Sequence, residues 1–148
     1  MLLKGSCHCG AVRFSLRSRT PYPYMWCYCS ICRKTAGGGG YAINIMGEAD
    51  TLEVKGRTKA YRATRGGGER RFCPKCGSAL WAWDKRWAEW IYPFASAIDT
   101  RLPVPKDRQL IFVGSKANWS FVPSGKRFRE YPKEAIIDWH RKHGLLVK

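Results

Sequence analysis

The seven cysteines of this 148-residue chain constrain its fold more than any other feature. They form three groups that long intervals separate: Cys7-His8-Cys9, Cys27-Tyr28-Cys29-Ser30-Ile31-Cys32 and Cys73-Pro74-Lys75-Cys76. An odd number of cysteines cannot pair completely into disulfides within one chain. Spacings this close are typical of thiolates that share a metal ion. The pattern therefore predicts a metal-binding protein.

The last group has the spacing of a zinc knuckle and is followed by Gly77, which lets the amides of the turn approach the sulfurs. A knuckle supplies two ligands, whereas a closed structural zinc site uses four. In extended backbone, residues i and i+2 face the same way, so the two thiols of the first group can both turn toward one ion. We predict a structural zinc site formed by Cys7, Cys9, Cys73 and Cys76.

The middle group is left as three ligands from one short loop, Cys27, Cys29 and Cys32. Three protein ligands with an open fourth position distinguish catalytic from structural zinc. The open position can take a water or a substrate thiol, which zinc would hold as thiolate at neutral pH. In the alternative, both sites are structural and a histidine supplies the fourth ligand: His8, His140 or His143. The sequence predicts two zinc ions per chain; with an open second site, one is structural and the other of the catalytic type.

Composition and hydropathy exclude a membrane-spanning protein. Hydrophobic residues make up 45% of the chain and charged residues 26%, as in globular domains. No segment approaches the roughly 18 consecutive apolar residues of a membrane span. The first residues lack the apolar segment and cleavage site of a secretory signal. We expect one domain over residues 1–148 in the cytoplasm, where thiols stay reduced.

The charge is strongly positive, with 27 Lys and Arg against 11 Asp and Glu. This excess favours anionic partners, either small acidic substrates or nucleic acid. Residues 55–71 contain seven basic side chains and one acid. They form a solvated strand face that discourages edge pairing, attract a dicarboxylate thiol, or contact nucleic acid. The sequence leaves these three interpretations open.

Alternating hydrophobicity predicts an all-β body. Val12, Phe14 and Leu16 alternate with polar residues, as in a strand with one wet face. Further strand-like runs occur at residues 41–46, 51–55, 60–64, 79–83, 89–94 and 110–113. Near the end, residues 133–143 have apolar side chains at helical spacing, with Pro132 in the first turn and Gly144 as C-terminal cap. We predict one short terminal helix packed by Trp139.

Three segments together resemble one known family: Gly5-Ser6-Cys7-His8-Cys9-Gly10-Ala11-Val12, Cys27-Tyr28-Cys29-Ser30-Ile31-Cys32-Arg33-Lys34 and Phe72-Cys73-Pro74-Lys75-Cys76-Gly77-Ser78-Ala79-Leu80. A weaker match follows at residues 111–119. They resemble the glutathione-dependent formaldehyde-activating (Gfa) family, which has the Mss4-like fold and includes the centromere protein V group. The resemblance implies coiled antiparallel β-sheets, the same structural and catalytic-type zinc sites, and condensation of formaldehyde with glutathione to S-(hydroxymethyl)glutathione. The reverse reaction is that of a carbon–sulfur lyase.

The predicted catalytic residues are Cys27, Cys29 and Cys32. In this hypothesis a glutathione-like thiol binds at their zinc and attacks an aldehyde carbonyl. Arg33 and Lys34 directly follow and are placed to meet the anionic part of the substrate, or they offset the thiolate charge. The glycine run 37–40 is a second candidate contact through Gly38 and Gly39, or a plain flexible connection.

Two further points stay open at this stage. Tyr28 stands where the Gfa family usually has histidine, and no histidine or carboxylate adjoins the three-cysteine loop as a general acid. The alternative function is a zinc-stabilised basic module that binds nucleic acid or another polyanion without catalysis.

Overall fold

The structure is a computed structural model that describes residues 1–36 and 38–148. In these residues the chain forms three small β-sheets, two short α-helices and several single 3₁₀ turns. The predicted all-β body with a terminal helix is confirmed. The prediction of one domain over the whole chain stays a prediction.

The first sheet is antiparallel and contains β1 (Leu2–Ser6), β2 (Arg13–Arg17) and β6 (Glu53–Lys55) in the order β1-β2-β6. Its alternating side chains bury Leu3 and Phe14, as a two-residue period requires. A Cβ at Gly5 would lie 2.3 Å from the Phe14 ring. Glycine is therefore needed where β1 crosses this ring.

The second sheet is also antiparallel. Its order is β5 (Gly47–Glu48), β10 (Trp90–Pro93), β9 (Ala79–Trp83), β8 (Glu69–Phe72) and β7 (Lys59–Arg62). Every residue of the edge strand β7 is exposed. Buried Glu69 accepts hydrogen bonds from Arg62 and Arg71 at 2.6 and 2.9 Å. Part of the basic segment thus protects a sheet edge and neutralises a buried acid.

The third sheet has the order β12 (Lys126–Arg127), β11 (Gln109–Ile111), β3 (Met25–Cys27) and β4 (Ala42–Ile43). Strand β11 runs parallel to both β3 and β12, so this sheet departs from the purely antiparallel expectation. Parallel neighbours need a long connection between them. The chain provides it by building the second sheet between β3 and β11.

The predicted strand at residues 41–46 is broken. Its first part is β4 in the third sheet, and the chain then crosses to β5 in the second sheet through isolated bridges at Asn44 and Met46. Strands β1, β3, β5, β8 and β12 were not predicted. The change of sheet explains the break, because one continuous strand cannot belong to both.

Helix α1 (Ser30–Thr35) lies directly after β3, and α2 (Ile136–Lys142) closes the chain. Helix α2 begins at residue 136 and not 133, so Pro132 precedes it and does not form its first turn. Gly144 follows the helix with a positive φ of 67°, which confirms the predicted glycine cap. Trp139 is buried and stacks on Tyr24 with ring centroids 3.7 Å apart.

Two hydrophobic cores result, and each surrounds one cysteine group. The first core packs Cys7 and Cys73 with the side chains of the first two sheets. The second packs Cys27 and Cys32 with the third sheet and α2. Among the described residues, no helix has both the length and the apolar character needed to cross a membrane.

Candidate metal centres and active site

The thiols of the first and third cysteine groups converge as predicted. Their Sγ atoms all lie within 4.8 Å of one another: Cys7, Cys9, Cys73 and Cys76. We call this group the four-cysteine site. The first cysteine of each pair is buried and the second is exposed. Metal is thus expected at the core boundary.

Two turns, each closed by a glycine, carry these thiols. The N–H of Gly10 donates to the carbonyl of Cys7 at 3.0 Å, and the N–H of Gly77 donates to that of Cys73 at 2.9 Å. Both glycines have positive φ, 74° and 76°. This backbone conformation is unfavourable for other residues. Each glycine therefore closes the turn that aims a cysteine pair.

Ser78 joins the two turns, and sequence reasoning missed it. Its hydroxyl accepts from the His8 backbone N–H at 3.1 Å and lies 3.2 Å from the Cys76 Sγ. Hydrogen bonds from the Ser78 hydroxyl and backbone N–H lower the pKa of Cys76 to about 5. The only sequence signal was its place just after the knuckle, where hydrogen bonds to metal-binding thiolates commonly arise.

The middle cysteine group also converges, and we call it the three-cysteine site: Cys27, Cys29 and Cys32. Cys27 ends β3, where it pairs with Ile111 of β11. Cys29 is the N-cap of α1, and its Sγ accepts from the Cys32 N–H at 3.3 Å. The loop expected here therefore contains a helical turn that holds the second and third thiols together.

Hydrogen bonding makes the three thiols unequal. The pKa of Cys29 falls to about 2 because the thiols of Cys27 and Cys32 hydrogen-bond to its sulfur, and backbone N–H groups of Cys32 and Ile31 add to this. The same bonds, together with burial, raise the pKa of Cys27. Negative charge therefore settles first on Cys29, the least buried of the three.

No histidine closes the three-cysteine site within residues 1–36 and 38–148. His8 is exposed next to the other site. His140 is fully buried; its Nε2 accepts from the Tyr22 N–H at 3.3 Å and its Nδ1 meets the Ile136 carbonyl at 2.9 Å. His143 bonds the Trp139 carbonyl through Nδ1 at 2.7 Å. These contacts are structural.

The donor sets fit zinc. Tetrahedral zinc with Zn–S bonds of about 2.3 Å requires sulfur atoms about 3.8 Å apart. In the four-cysteine site, Cys7 and Cys9 are 3.6 Å apart and Cys9 and Cys73 are 3.9 Å apart, sulfur to sulfur. Soft thiolate donors also favour zinc over magnesium or calcium. The three-cysteine site offers the same donors with one ligand fewer.

A cleft of about 660 Å³ lies between the two turns of the four-cysteine site and the end of α1. We call it the knuckle cleft. Of the predicted substrate-contacting residues, Arg33, Lys34 and Gly38 line it. Cys7 also lines it, whereas the three-cysteine thiols do not. Arg33, Lys34 and Gly38 thus line a surface next to the three-cysteine site, and this surface does not include the three thiols.

The glycine run has a second structural role. A Cβ at Gly39 would lie 3.0 Å from the Tyr41 ring, and the Gly39 carbonyl accepts from the Ser120 hydroxyl at 3.0 Å. A Cβ at Gly40 would lie 2.5 Å from the same hydroxyl. These glycines let a distant segment pack closely. Gly37, part of the same predicted contact loop, lies outside the described residues.

Two residues near the three-cysteine site were not predicted. Tyr131 packs edge-on against Phe112, with ring centroids 4.8 Å apart. Desolvation raises the pKa of Tyr131 to about 12, and the three thiols act in the same direction. Arg70 partly opposes both this effect and the rise in the pKa of Cys32. Tyr131 and Arg70 therefore lie within electrostatic reach of the thiols.

Arg70 also has an unused donor. Among residues 1–36 and 38–148, neither its buried Nε nor that of Arg33 has a hydrogen-bond partner. The sequence signal for Arg70 was only its place in the basic segment. Tyr131 gave no signal, because it reaches the site through tertiary packing.

Tyr28 is fully buried, and its hydroxyl donates to the Phe121 carbonyl at 2.9 Å. It thereby ties the loop of the three-cysteine site to a segment with two exposed aromatic side chains, Trp119 and Phe121. The residue in the usual histidine position is thus an anchor for the chain beside the site.

Comparison with known proteins agrees with this arrangement. The sequence profile of the glutathione-dependent formaldehyde-activating enzyme family matches residues 2–115. A Halomonas elongata protein, named provisionally as a glutathione-dependent formaldehyde-activating enzyme, is 54% identical over 154 aligned positions covering 98% of each chain. A crystal structure of a Rhodobacter sphaeroides protein is similar with a TM-score of 0.55 and 25% identity, covering 68% of this chain and 91% of that one. The chain belongs to the glutathione-dependent formaldehyde-activating enzyme family.

Proposed function

We propose that this chain is a zinc-dependent carbon–sulfur lyase or synthase that interconverts S-(hydroxymethyl)glutathione with formaldehyde and glutathione. The observation that carries the proposal is the convergence of three thiols without a fourth side-chain ligand in the described part of the chain. Family membership supports the substrate pair. The seven free thiols favour a reducing compartment, which we propose is the cytoplasm.

The three-cysteine site is the proposed catalytic centre. Zinc bound there would offer an open position at which a substrate thiol is held as thiolate at neutral pH. Helix α1 fixes two of the thiols through the N-cap of Cys29, and β3 fixes Cys27 against β11. The protein thus holds the three ligands in place before substrate arrives, which lowers the cost of reorganisation during reaction.

Tyr131 is the proposed hydrogen-bond donor to the aldehyde. When a thiolate sulfur adds to the carbonyl carbon, a carbon–sulfur bond forms and negative charge develops on the carbonyl oxygen. A phenol with a raised pKa stays protonated at neutral pH and can donate to that oxygen. The hydroxyl transfers its proton to that oxygen and regains one from solvent, which took up the proton of the substrate thiol when the thiolate formed. In the reverse direction the hydroxyl first loses its proton to solvent, and the phenolate accepts the proton of the adduct as the carbon–sulfur bond breaks.

Arg33, Lys34 and Arg70 are the proposed contacts for the carboxylates of the thiol substrate. The buried Nε atoms of the two arginines have no acceptor in the part of the chain that the structure describes. A carboxylate would supply an acceptor with charge assistance. Lys34 and Gly38 line the adjoining knuckle cleft, where the rest of an extended thiol can lie. Gly39 completes the proposed contact loop.

The proposal is tested by the NMR exchange rate between formaldehyde with glutathione and their adduct. Zinc-loaded wild-type protein, the Cys29→Ala variant and buffer alone are compared, because the uncatalysed reaction also proceeds. We expect acceleration only by the wild type, with the far-ultraviolet circular dichroism of the variant unchanged. Lys55→Ala, on the remote strand β6, should match the wild type. Equal rates in all samples would overturn the substrate assignment.

A second candidate is a binding module for nucleic acid. Exposed Tyr61 lies beside basic residues on β7, and an aromatic ring flanked by cations can stack on a base. Affinity for an oligonucleotide would then fall steeply with salt, whereas one small thiol should depend on salt weakly. A salt titration separates the two functions.

A further inference from the structure

A second cavity, of about 480 Å³, lies between β11, β12 and helix α2. We call it the terminal cavity. Its volume is in the range of small-molecule sites, and no cysteine lines it. Strand β12 and α2 both follow residue 115, so the family match at residues 2–115 does not cover this part of its wall.

Cations dominate its lining: Lys106, Arg108, Lys126 and Lys142. The two acids in the wall are Asp107 and Glu134. Glu134 forms an ion pair with Lys142, with 3.5 Å between Oε1 and Nζ. The guanidinium of Arg108 is held over the Trp26 ring at 5.6 Å from its centroid, and Lys126 Nζ lies 5.5 Å from that of Phe128. These contacts restrict the positions of the two charged groups, and neither ring lines the cavity.

The wall also contains a buried polar group without a partner. Gln109 is only 6% exposed, and its side-chain oxygen accepts no hydrogen bond. Such groups are rare in folded proteins because desolvation without a partner is costly. The Gln109 N–H donates to the Tyr24 carbonyl at 2.9 Å, and the buried Tyr24 hydroxyl also lacks a partner. The cavity therefore combines free positive charge with an acceptor that needs a donor.

The turn before β12 is built to stay close to these groups. A Cβ at Gly125 would lie 2.8 Å from the Arg108 carbonyl, so only glycine fits without displacement. The Lys126 N–H donates to the same carbonyl at 3.0 Å. These contacts bring Lys126 beside Arg108 on one wall.

We propose that the terminal cavity binds a small organic phosphate. The phosphate, which is close to dianionic at neutral pH, lies between Lys106 and Lys126. A hydroxyl of the organic part donates to the Gln109 oxygen. A simple carboxylate carries one negative charge per group and leaves more of this positive charge unmatched. The site is separate from the proposed catalytic centre and does not depend on it.

Isothermal titration calorimetry of the zinc-loaded full chain tests the proposal with four probes: ribose 5-phosphate, adenosine monophosphate, inorganic phosphate and ribose. We expect both organic phosphates to bind, inorganic phosphate to bind more weakly and ribose not to bind. No heat from either organic phosphate at about ten times a Kd of about 1 mM would overturn the proposal. Equal affinity for inorganic and organic phosphate would overturn the assignment of an organic ligand.

Paired variants locate the ligand. Lys106→Ala with Lys126→Ala should weaken binding about tenfold or more, since each lysine supplies a charge-assisted contact. Lys55→Ala with Lys59→Ala removes the same charge elsewhere and should leave affinity within about twofold if the cavity and not net charge binds the ligand. Equal losses in the two pairs would overturn the site. Gln109→Leu, with its thermal midpoint as a folding check, should remove the preference for organic phosphate.

Two competitors complete the test. Saturating glutathione should leave phosphate binding unchanged; displacement would assign the phosphate to the thiol site and overturn a separate cavity. An oligonucleotide without terminal phosphates should bind more weakly than adenosine monophosphate. Tighter oligonucleotide binding that the cavity variants abolish would replace the proposal with a nucleic-acid surface.

Discussion

The two cysteine sites differ in how far along the chain their surroundings come from. In the four-cysteine site each turn is stabilised by residues within five positions of its first cysteine, including Gly10 and Gly77. In the three-cysteine site all three thiols come from residues 27–32, but the neighbouring groups Arg70, Phe112 and Tyr131 come from distant segments. The fold thus brings two local turns together to form the four-cysteine site, whereas at the three-cysteine site it adds distant side chains to thiols that are already neighbours in the chain.

This difference suggests separate roles for the two sites, one in stability and one in activity. The four-cysteine site joins β1–β2 to β8–β9, so its metal would stabilise the first core. The three-cysteine site is already framed by β3, α1 and the second core. We therefore expect the fold to depend on the first metal and activity on the second.

The largest expected effect is that of Cys73→Ser, which removes a fully buried ligand of the four-cysteine site. Structural zinc contributes roughly 10–16 kcal/mol of apparent binding energy to small domains, which is as much as a domain's total stability of about 5–15 kcal/mol. We expect loss of cooperative unfolding and of about one zinc equivalent, measured by circular dichroism and metal analysis.

Lys75→Ala is the matched control, because Lys75 lies in the same turn and is exposed. It should keep both metals and the wild-type thermal midpoint. If Cys73→Ser unfolded cooperatively near that midpoint, the four-cysteine site would not be the structural one.

Graded chelation should separate the sites in one sample. Three ligands hold an ion less tightly than four, so the three-cysteine site should lose its metal first. Activity should then vanish while the circular dichroism signal stays, and unfolding should follow only with the second equivalent. Zinc release, exchange rate and circular dichroism are recorded against chelator concentration. If fold and activity were lost at the same chelator concentration, the two metals would not have the separate roles that we propose.

The sequence predicted the parts that local chemistry determines. Cysteine spacing predicted which thiols share each site. The pattern of apolar residues predicted the strand Ala79–Trp83, and the position of Gly144 after the helical segment predicted its cap. Helix α1 was missed because a CxCxxC loop has no helical periodicity. The parallel pairing of β3 and β11 joins segments that no local pattern relates.

The same reason explains the site residues that were missed. Tyr131 reaches the three-cysteine site through its contact with Phe112, which itself has a left-handed φ of 57°. A pattern of residue types does not encode such a contact. Arg70 was visible only as one of many basic residues.

Tyr131→Phe should reduce the exchange rate about a hundredfold, the lower range for loss of a general acid. The ring and its contact with Phe112 remain, so metal content and thermal midpoint should match the wild type. Apparent affinity for glutathione should change little, which assigns the loss to the reacting oxygen. Tyr61→Phe, an exposed tyrosine on β7, is the control. An unchanged rate in Tyr131→Phe would remove this residue from the mechanism.

The smallest expected effect is a decrease in the stability of the second core at acidic pH. Burial lowers the pKa of His140 below its usual 6.5. The unfolded chain then takes up a proton before the folded chain does, so stability is complete above pH 6.5 and falls as the pH decreases below it. The titratable side chains packed against His140 are Tyr22, Tyr24 and His143. The charge of a protonated His143 lowers the pKa of His140 further.

His140→Gln keeps a polar side chain without titration. We expect a lower thermal midpoint at pH 7 but a shallower decrease between pH 7 and pH 5 than in the wild type. His8→Gln, which changes an exposed histidine near the other site, should leave the wild-type slope unchanged. If it flattened the slope instead, the acid sensitivity would originate at the four-cysteine site. Because His140 belongs to α2, whose Trp139 packs in the core of the three-cysteine site, the expected result would make that core the first to loosen in acid.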